Sequence, residues 1–211
     1  MNRHPRSSLR RSAFTLLEVL AVVIIIAVLL GISGPAIQGV LTSSKLRDSA
    51  ASIESELFAA QQLAITLGSE TEVRFYQLPD LIGSDPTPLL RKVQVFTLNP
   101  PPDGPGAGAD QGGWFTPAAP PVSIHPGTVV SPHHALSSIV DLGFKTEKSD
   151  TQGAFIAFHF HADGSTDLSP GKEWFLTVLE RKPGQPVSTK PKNFVTLQID
   201  PASGHVRSFQ P

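Results

Sequence analysis

The chain has no cysteine. That excludes a disulfide scaffold, a Cys-ligated zinc site and a cysteine nucleophile together. It leaves the compartment open, because a thiol-free protein suits oxidising and reducing surroundings alike. Charge is also sparse, at 17% of 211 residues against 40% apolar, so this is no disordered polyelectrolyte. The formal net charge is −1, yet Arg3, Arg6, Arg10 and Arg11 stand in the first 13 residues with no acid, leaving −5 for the remainder. A body of that sign is poorly suited to gripping phosphate backbones, which argues against nucleic acid as a partner. No P-loop or dinucleotide fingerprint is present; the glycines of Gly104–Gly113 follow a proline run and precede no helix pattern. No nucleophile-elbow motif frames Thr128, Ser131 or Ser165, the hydroxyls that could be imagined beside His133 or His134. The length suits one domain, or a small domain plus an extra element.

What is present is concentrated at the start. Phe14 to Ile32 is apolar except for Thr15 and Glu18, with an unbroken run of twelve from Val19 to Leu30. A helix needs roughly 20 such residues to cross a bilayer, so the stretch is just long enough. The arginines before it predict a cytoplasmic N-terminus with the rest exported. Three readings compete. A secretory signal peptide should show small residues in an A-x-A-like pattern, but Ser33-Gly34-Pro35-Ala36 puts a proline there. A plain signal anchor gives no reason for an acid at Glu18, which costs about 2.5–3.5 kcal/mol in hydrocarbon. The third reading explains the acid. Ser12-Ala13-Phe14-Thr15-Leu16-Leu17-Glu18 resembles the processing site of a type IV prepilin. The resemblance implies that a prepilin peptidase cuts between Ala13 and Phe14 and methylates the new amine of Phe14. It implies further that Glu18 neutralises the amine of a neighbouring subunit, a buried charge being tolerable only with a partner. Such proteins usually carry Gly before the cut, where this chain has Ala13.

Beyond the apolar run, Leu46, Ala50, Ile53, Leu57, Ala60, Ala64 and Leu67 recur at spacings of three and four, the stripe of an amphipathic helix. The stripe is expected to pack on the domain that follows, with Gly68 as C-cap and a kink or local melting at Pro35. From Thr71 the pattern turns to strands: Thr71–Leu78, Leu90–Leu98, Ala154–His161, Glu173–Arg181, Asn193–Asp200 and a last short one over His205–Phe209. Asp163-Gly164 predicts a type I′ hairpin turn, and the pairing should be antiparallel. Asn99 to Pro132 holds nine prolines and six glycines in 34 residues and reads as one long loop.

These segments sharpen the resemblance. Glu72-Val73-Arg74-Phe75-Tyr76-Gln77, Ala162-Asp163-Gly164-Ser165-Thr166-Asp167-Leu168-Ser169-Pro170, Glu173-Trp174-Phe175-Leu176-Thr177 and the ending Asn193 to Phe209 resemble the prepilin-like Verru_Chthon cassette protein D family of verrucomicrobial bacteria. More distantly, the Phe160–Gly164 turn and Asp200-x-x-x-Gly204-x-Val206 resemble H-type minor pseudopilins and related minor pilins. The fold implied is α+β, a long N-terminal helix packed on an antiparallel β domain. Its expected parts are a leader at 1–13, a transmembrane half-helix at 14–34, an amphipathic half at 35–68 and a β domain at 69–211.

Other chemistry is thin. His159 and His161 form a His-x-His on a strand with Asp163 two residues on, a genuine but weak metal spacing. The plainer reading is a solvated strand face beside a turn, so no metal and no cofactor is assigned. Trp114, Phe115 and Trp174 could stack on sugars, but such residues are more often core or loop anchors. The reading that results is a minor pseudopilin of an inner-membrane filament, in a type II secretion-like or type IV pilus-like system. Its implied partners are the prepilin peptidase, the inner membrane and the major and other minor pilins. Its C-terminal domain is periplasmic, and its work is assembly rather than catalysis. The alternative is a membrane-anchored module whose β domain binds a sugar or surface ligand.

Overall fold

The structure is a computed structural model and describes residues 14–79, 88–99, 114–147, 152–182 and 191–211, with side chains throughout except at 32–40 and 114. The chain divides into two compact units, one ending at Leu41 and the other Thr42–Pro211. A single helix, α1 (Leu16–Leu67), contributes to both. Its backbone stays helical through Pro35, so the local melting expected there does not occur. Proline removes one i→i−4 bond, and a helix of 52 residues has turns enough on either side to propagate past that loss.

In the first unit every large apolar side chain from Phe14 to Leu30 is 49–86% exposed. Apolar surface on that scale needs lipid or other helices to cover it. Among the described residues no helix is long and apolar enough to cross a membrane. The span expected at 14–34 includes residues 32–34, whose side chains lie outside the described set.

In the second unit the helical stripe behaves as the spacing predicts. Leu46, Ala50, Ile53, Leu57, Ala60 and Ala64 are all at most 3% exposed and share one core with the sheet. Leu67 departs from the expectation, being 54% exposed. The reason is the helix end itself: Gly68 turns left-handed at φ 61, Ser69 N–H donates to the Ala64 carbonyl and Gly68 N–H to Ile65. These bonds form a Schellman closure, and the buried stripe ends with Ala64.

The sheet is antiparallel throughout. Its strands are β1 (Thr71–Leu78), β2 (Leu89–Asn99), β3 (Trp114–Pro117), β4 (Val122–Ser123), β5 (Thr128–Val130), β6 (Phe155–Phe160), β7 (Trp174–Glu180), β8 (Phe194–Ile199) and β9 (Val206–Phe209). The spatial order is β6-β1-β2-β5-β7-β8-β9, with β3 and β4 also on β2. Here the single-loop expectation over 99–132 fails. Residues 100–113 lie outside the described set, but 114–130 contribute three strands, and the fully buried β5 joins the two halves of the sheet. Val130 pairs with Leu90 on one side, while Thr128 to Val130 pair with Glu180 to Val178 on the other. A strand of three residues between Pro126 and Pro132 is too short for alternation to reveal it.

Val73 and Phe75 of β1, Val93 and Val95 of β2, and Ile156, Phe158 and Phe160 of β6 join the α1 core. The opposite face is covered too, by a second cluster of Tyr76, Phe96, Phe155 and Ala157 with Phe115 beside it. Both faces of β1 are therefore buried.

Two turns meet α1. Asp163 keeps a negative φ and only Gly164 is left-handed, at φ 85, so the turn is not type I′ as expected. Gly164 N–H donates to the His161 carbonyl and His161 N–H to Ser165, a three-residue loop ending in a left-handed glycine. The side chain of Asp163 accepts from Ser165 N–H at 2.9 Å, which it can do without leaving the right-handed region. The second turn contains Gly204, at φ 66. Gln61 Nε2 donates to the carbonyls of Gly164 at 2.9 Å and Ser203 at 2.7 Å, stapling both turns to the helix. A Cβ on Gly204 would lie 2.2 Å from the Gly164 carbonyl and 2.5 Å from Gln61 Nε2. Gly204→Ala should therefore destabilise this unit by about 2–4 kcal/mol, strain and overpacking combined, read as the loss in urea-unfolding free energy.

Candidate functional site

The start of α1 is built by four residues. Thr15 is the N-cap: its Oγ1 accepts from Glu18 N–H at 3.2 Å. Glu18 reaches back, its Oε2 accepting from Thr15 N–H and from Thr15 Oγ1–H, each at 3.0 Å. Thr15-Leu16-Leu17-Glu18 is thus a capping box, and the carboxylate satisfies donors that the first helical turn would leave orphaned. The spacing S/T-x-x-E that marks such a box is legible in the sequence. Both bonds end on one carboxylate oxygen, and a carboxylate has roughly four acceptor sites, so capping leaves capacity for a cation from outside. Phe14, the first described residue, is 80% exposed. Ala13 lies outside the described residues.

The weak metal candidates are not brought together: His159 points from the sheet face opposite α1, while Asp163 lies in the turn that meets α1. His159 of β6 sits directly across from Glu72 of β1. Its Nε2 is 3.0 Å from Glu72 Oε2, and its Nδ1 is 2.7 Å from Asp167 Oδ2. Asp167 also accepts the His159 backbone N–H through Oδ1, at 2.8 Å. His161 instead meets Glu70, Nδ1 to Oε1 at 3.0 Å, while Asp163 is spent on its own turn through the Ser165 N–H and hydroxyl. Among the described residues no three His, Cys, Asp or Glu side chains are placed to hold a metal ion.

Sequence reasoning missed the partners. Arg74 is 2% exposed and Glu72 5%. The guanidinium bonds Glu72 through Nε and takes both oxygens of Glu147 at 2.9 and 3.1 Å. It lies between the rings of Phe96 and Phe155, 4.2 and 4.4 Å from their centroids. Burial raises the Glu72 carboxyl, but bonds from His159 and Arg74 outweigh it and hold the group below its usual range. Asp167 is likewise raised by burial and lowered further by His159. Burial pulls His159 down, yet its bonds to Asp167 and Glu72 lift it to about 9. With both ring nitrogens engaged, His159 has no free lone pair to serve as a general base. The period-two pair Glu72 and Arg74, alternating with Val73 and Phe75, was the available signal.

The aromatic candidates are anchors. Trp174 is 5% exposed, donates from Nε1 to the Ser169 carbonyl at 2.9 Å and carries Lys172 over its ring. Phe115 is half-buried against the His159 ring, 5.2 Å between centroids, and the Trp114 side chain lies outside the described set. Thr128 Oγ1 bonds Ser49 and the His125 carbonyl, and His133 meets Ser131 through its backbone N–H rather than its ring.

Residues 8–34 match the prokaryotic N-terminal methylation motif. The matched segment takes in the arginines at 10 and 11, the capping box and the apolar turns up to Gly34. Among solved structures, the minor pseudopilin EpsH from the type 2 secretion system of Vibrio cholerae is similar at 14% identity, covering 79% of this chain and 98% of that one with a TM-score of 0.43. No curated protein matches the sequence.

Proposed function

We propose that the chain is a minor prepilin-like subunit, a pseudopilin, of an inner-membrane filament in a type II secretion-like or type IV pilus-like system. The supporting observation is the methylation motif over 8–34 coinciding with a capped helix whose apolar side chains are exposed from Phe14 to Leu30. The Thr42–Pro211 unit buries its own helical stripe, so the exposed stretch is left for lipid and for other subunits. In this reading residues 1–13 are the leader, 14–34 the span and 35–68 the amphipathic half that the β domain at 69–211 covers. The arginines hold the leader in the cytoplasm and the β domain lies in the periplasm. A prepilin peptidase cuts between Ala13 and Phe14 and methylates the Phe14 amine, and Glu18 neutralises that amine on an adjacent subunit. The sequence likeness to the Verru_Chthon cassette protein D family belongs to this reading. The work of the subunit is assembly and contact with major and other minor pilins, not catalysis.

The cut is the direct test. Mass spectrometry of the membrane-extracted protein should show a chain starting at Phe14 and carrying one added methyl group. A retained Met1, or a start beyond Pro35, overturns the proposal.

A further inference from the structure

The geometry points to His159 as a doubly protonated pin that clasps β1 to the Ser165–Leu168 segment and lets go under alkaline conditions. A neutral imidazole has one N–H and one lone pair. Here carboxylate oxygens face both ring nitrogens, at 3.0 Å from Glu72 and 2.7 Å from Asp167. A neutral ring would set its lone pair against one of them, and only the imidazolium can donate to both.

The surroundings favour that charge. Arg74 bonds the other oxygen of Glu72 but is itself shared with Glu147. His161, beside Asp167, has Glu70 on its Nδ1. Phe115 of β3 covers the ring and brings no charge. The cluster thus holds four carboxylates, Glu70, Glu72, Glu147 and Asp167, against Arg74 and the two histidines. Removing the His159 proton leaves Glu72 and Asp167 facing one neutral ring.

The clasp has something to hold. Asp167 fixes the His159 backbone N–H as well as its ring. Its neighbours Thr166 and Leu168 bond the Pro201 carbonyl and enter the main core, respectively. Release would therefore loosen the connection between β6 and β7 while leaving the sheet paired.

His159 is raised from its ordinary value of 6.5 to about 9, so its contribution is complete below about 6.5 and lost as pH rises through 9. Glu72 and Asp167 are lowered, so theirs is present above the ordinary carboxylate range and lost as pH falls. Between about pH 7 and 8.5 the folded chain should hold about one more proton than the unfolded chain.

The test uses the full chain in detergent micelles with ¹⁵N-labelled histidine. At pH 8 both ring nitrogens of His159 should be protonated, with a titration midpoint at or above 8; a midpoint below 8 overturns the inference. Calorimetric unfolding at pH 8, repeated in buffers of differing ionisation enthalpy, should release about one proton per chain, and His159→Gln should abolish that release. An unchanged release in His159→Gln overturns it. Asp167→Asn keeps the shape of the contact and removes one charge, so it should lower the His159 midpoint by a unit or more. An unmoved midpoint there means that the carboxylates do not hold the proton.

Discussion

If the chain is the filament subunit proposed above, replacing Glu18 with Gln should leave it in the membrane and take it out of the filament. The capping box makes this substitution more informative than the motif alone suggests. Gln at the fourth position still offers a side-chain oxygen to Thr15 N–H, so the helix start is preserved and only the charge is removed. On the proposed reading a neighbouring Phe14 amine would then go uncompensated, and truncating one partner of a buried pair costs about 3–5 kcal/mol. At about 1.4 kcal/mol per tenfold, incorporation should fall by roughly two orders of magnitude or more. Insertion should be unharmed or slightly better, since a lone acid opposes it by about 2.5–3.5 kcal/mol. Cross-linking to the major subunit in the native host reads the first effect and membrane fractionation the second. Glu18→Ala separates the two duties, because it also removes the cap, worth about 1 kcal/mol. Loss in both variants assigns the role to the charge. Loss in Ala alone assigns it to the cap. Equal cross-linking in both leaves Glu18 without an assembly role, and the anchored binding module becomes the better account.

Local periodicity made the helix and the long strands legible. The stripe from Leu46 to Ala64 is a 3.6-residue pattern, and each of its six members is buried as the pattern requires. The strand at 71–78 has the bounds its sequence indicates, because Ser69 and Pro79 punctuate both ends. What stayed hidden depends on partners distant in sequence. Arg74 reads as a solvent-facing residue until Glu147, 73 positions away, and the rings of Phe96 and Phe155 are placed around it. His159 reads as a possible metal ligand until Glu72, 87 positions earlier, takes its Nε2. The strand at 128–130 lay under proline and glycine, residues that usually mark loops, although its three residues bridge the sheet. The capping box was missed for another reason. Its four letters are local and visible, but the processing motif that overlaps them supplied a sufficient explanation for the same acid.

In a chain starting at Thr42, Leu57→Ala should cost about 2–5 kcal/mol of unfolding free energy, while Phe58→Ala should stay within about 0.5 kcal/mol. The contrast comes from helical phase. Leu57 is fully buried in the core shared with the sheet, and its immediate neighbour is 61% exposed. Ala60 and Ala64, on the same stripe, let the helix approach the sheet closely enough for Thr71 Oγ1 to donate to the Ala60 carbonyl at 2.9 Å. A helix held that close cannot slide to fill the space a missing leucine leaves, so the cavity term should persist. The shortened chain should be soluble and unfold cooperatively, because the exposed apolar run from Phe14 to Leu30 has been removed and the stripe is already covered. Urea unfolding of the two variants measures the difference. Near-equal costs would mean that the stripe does not face the sheet in solution. A soluble chain whose Phe58→Ala is the more damaging would turn the helix by one residue and make Leu57, not Phe58, the residue that faces away from the sheet.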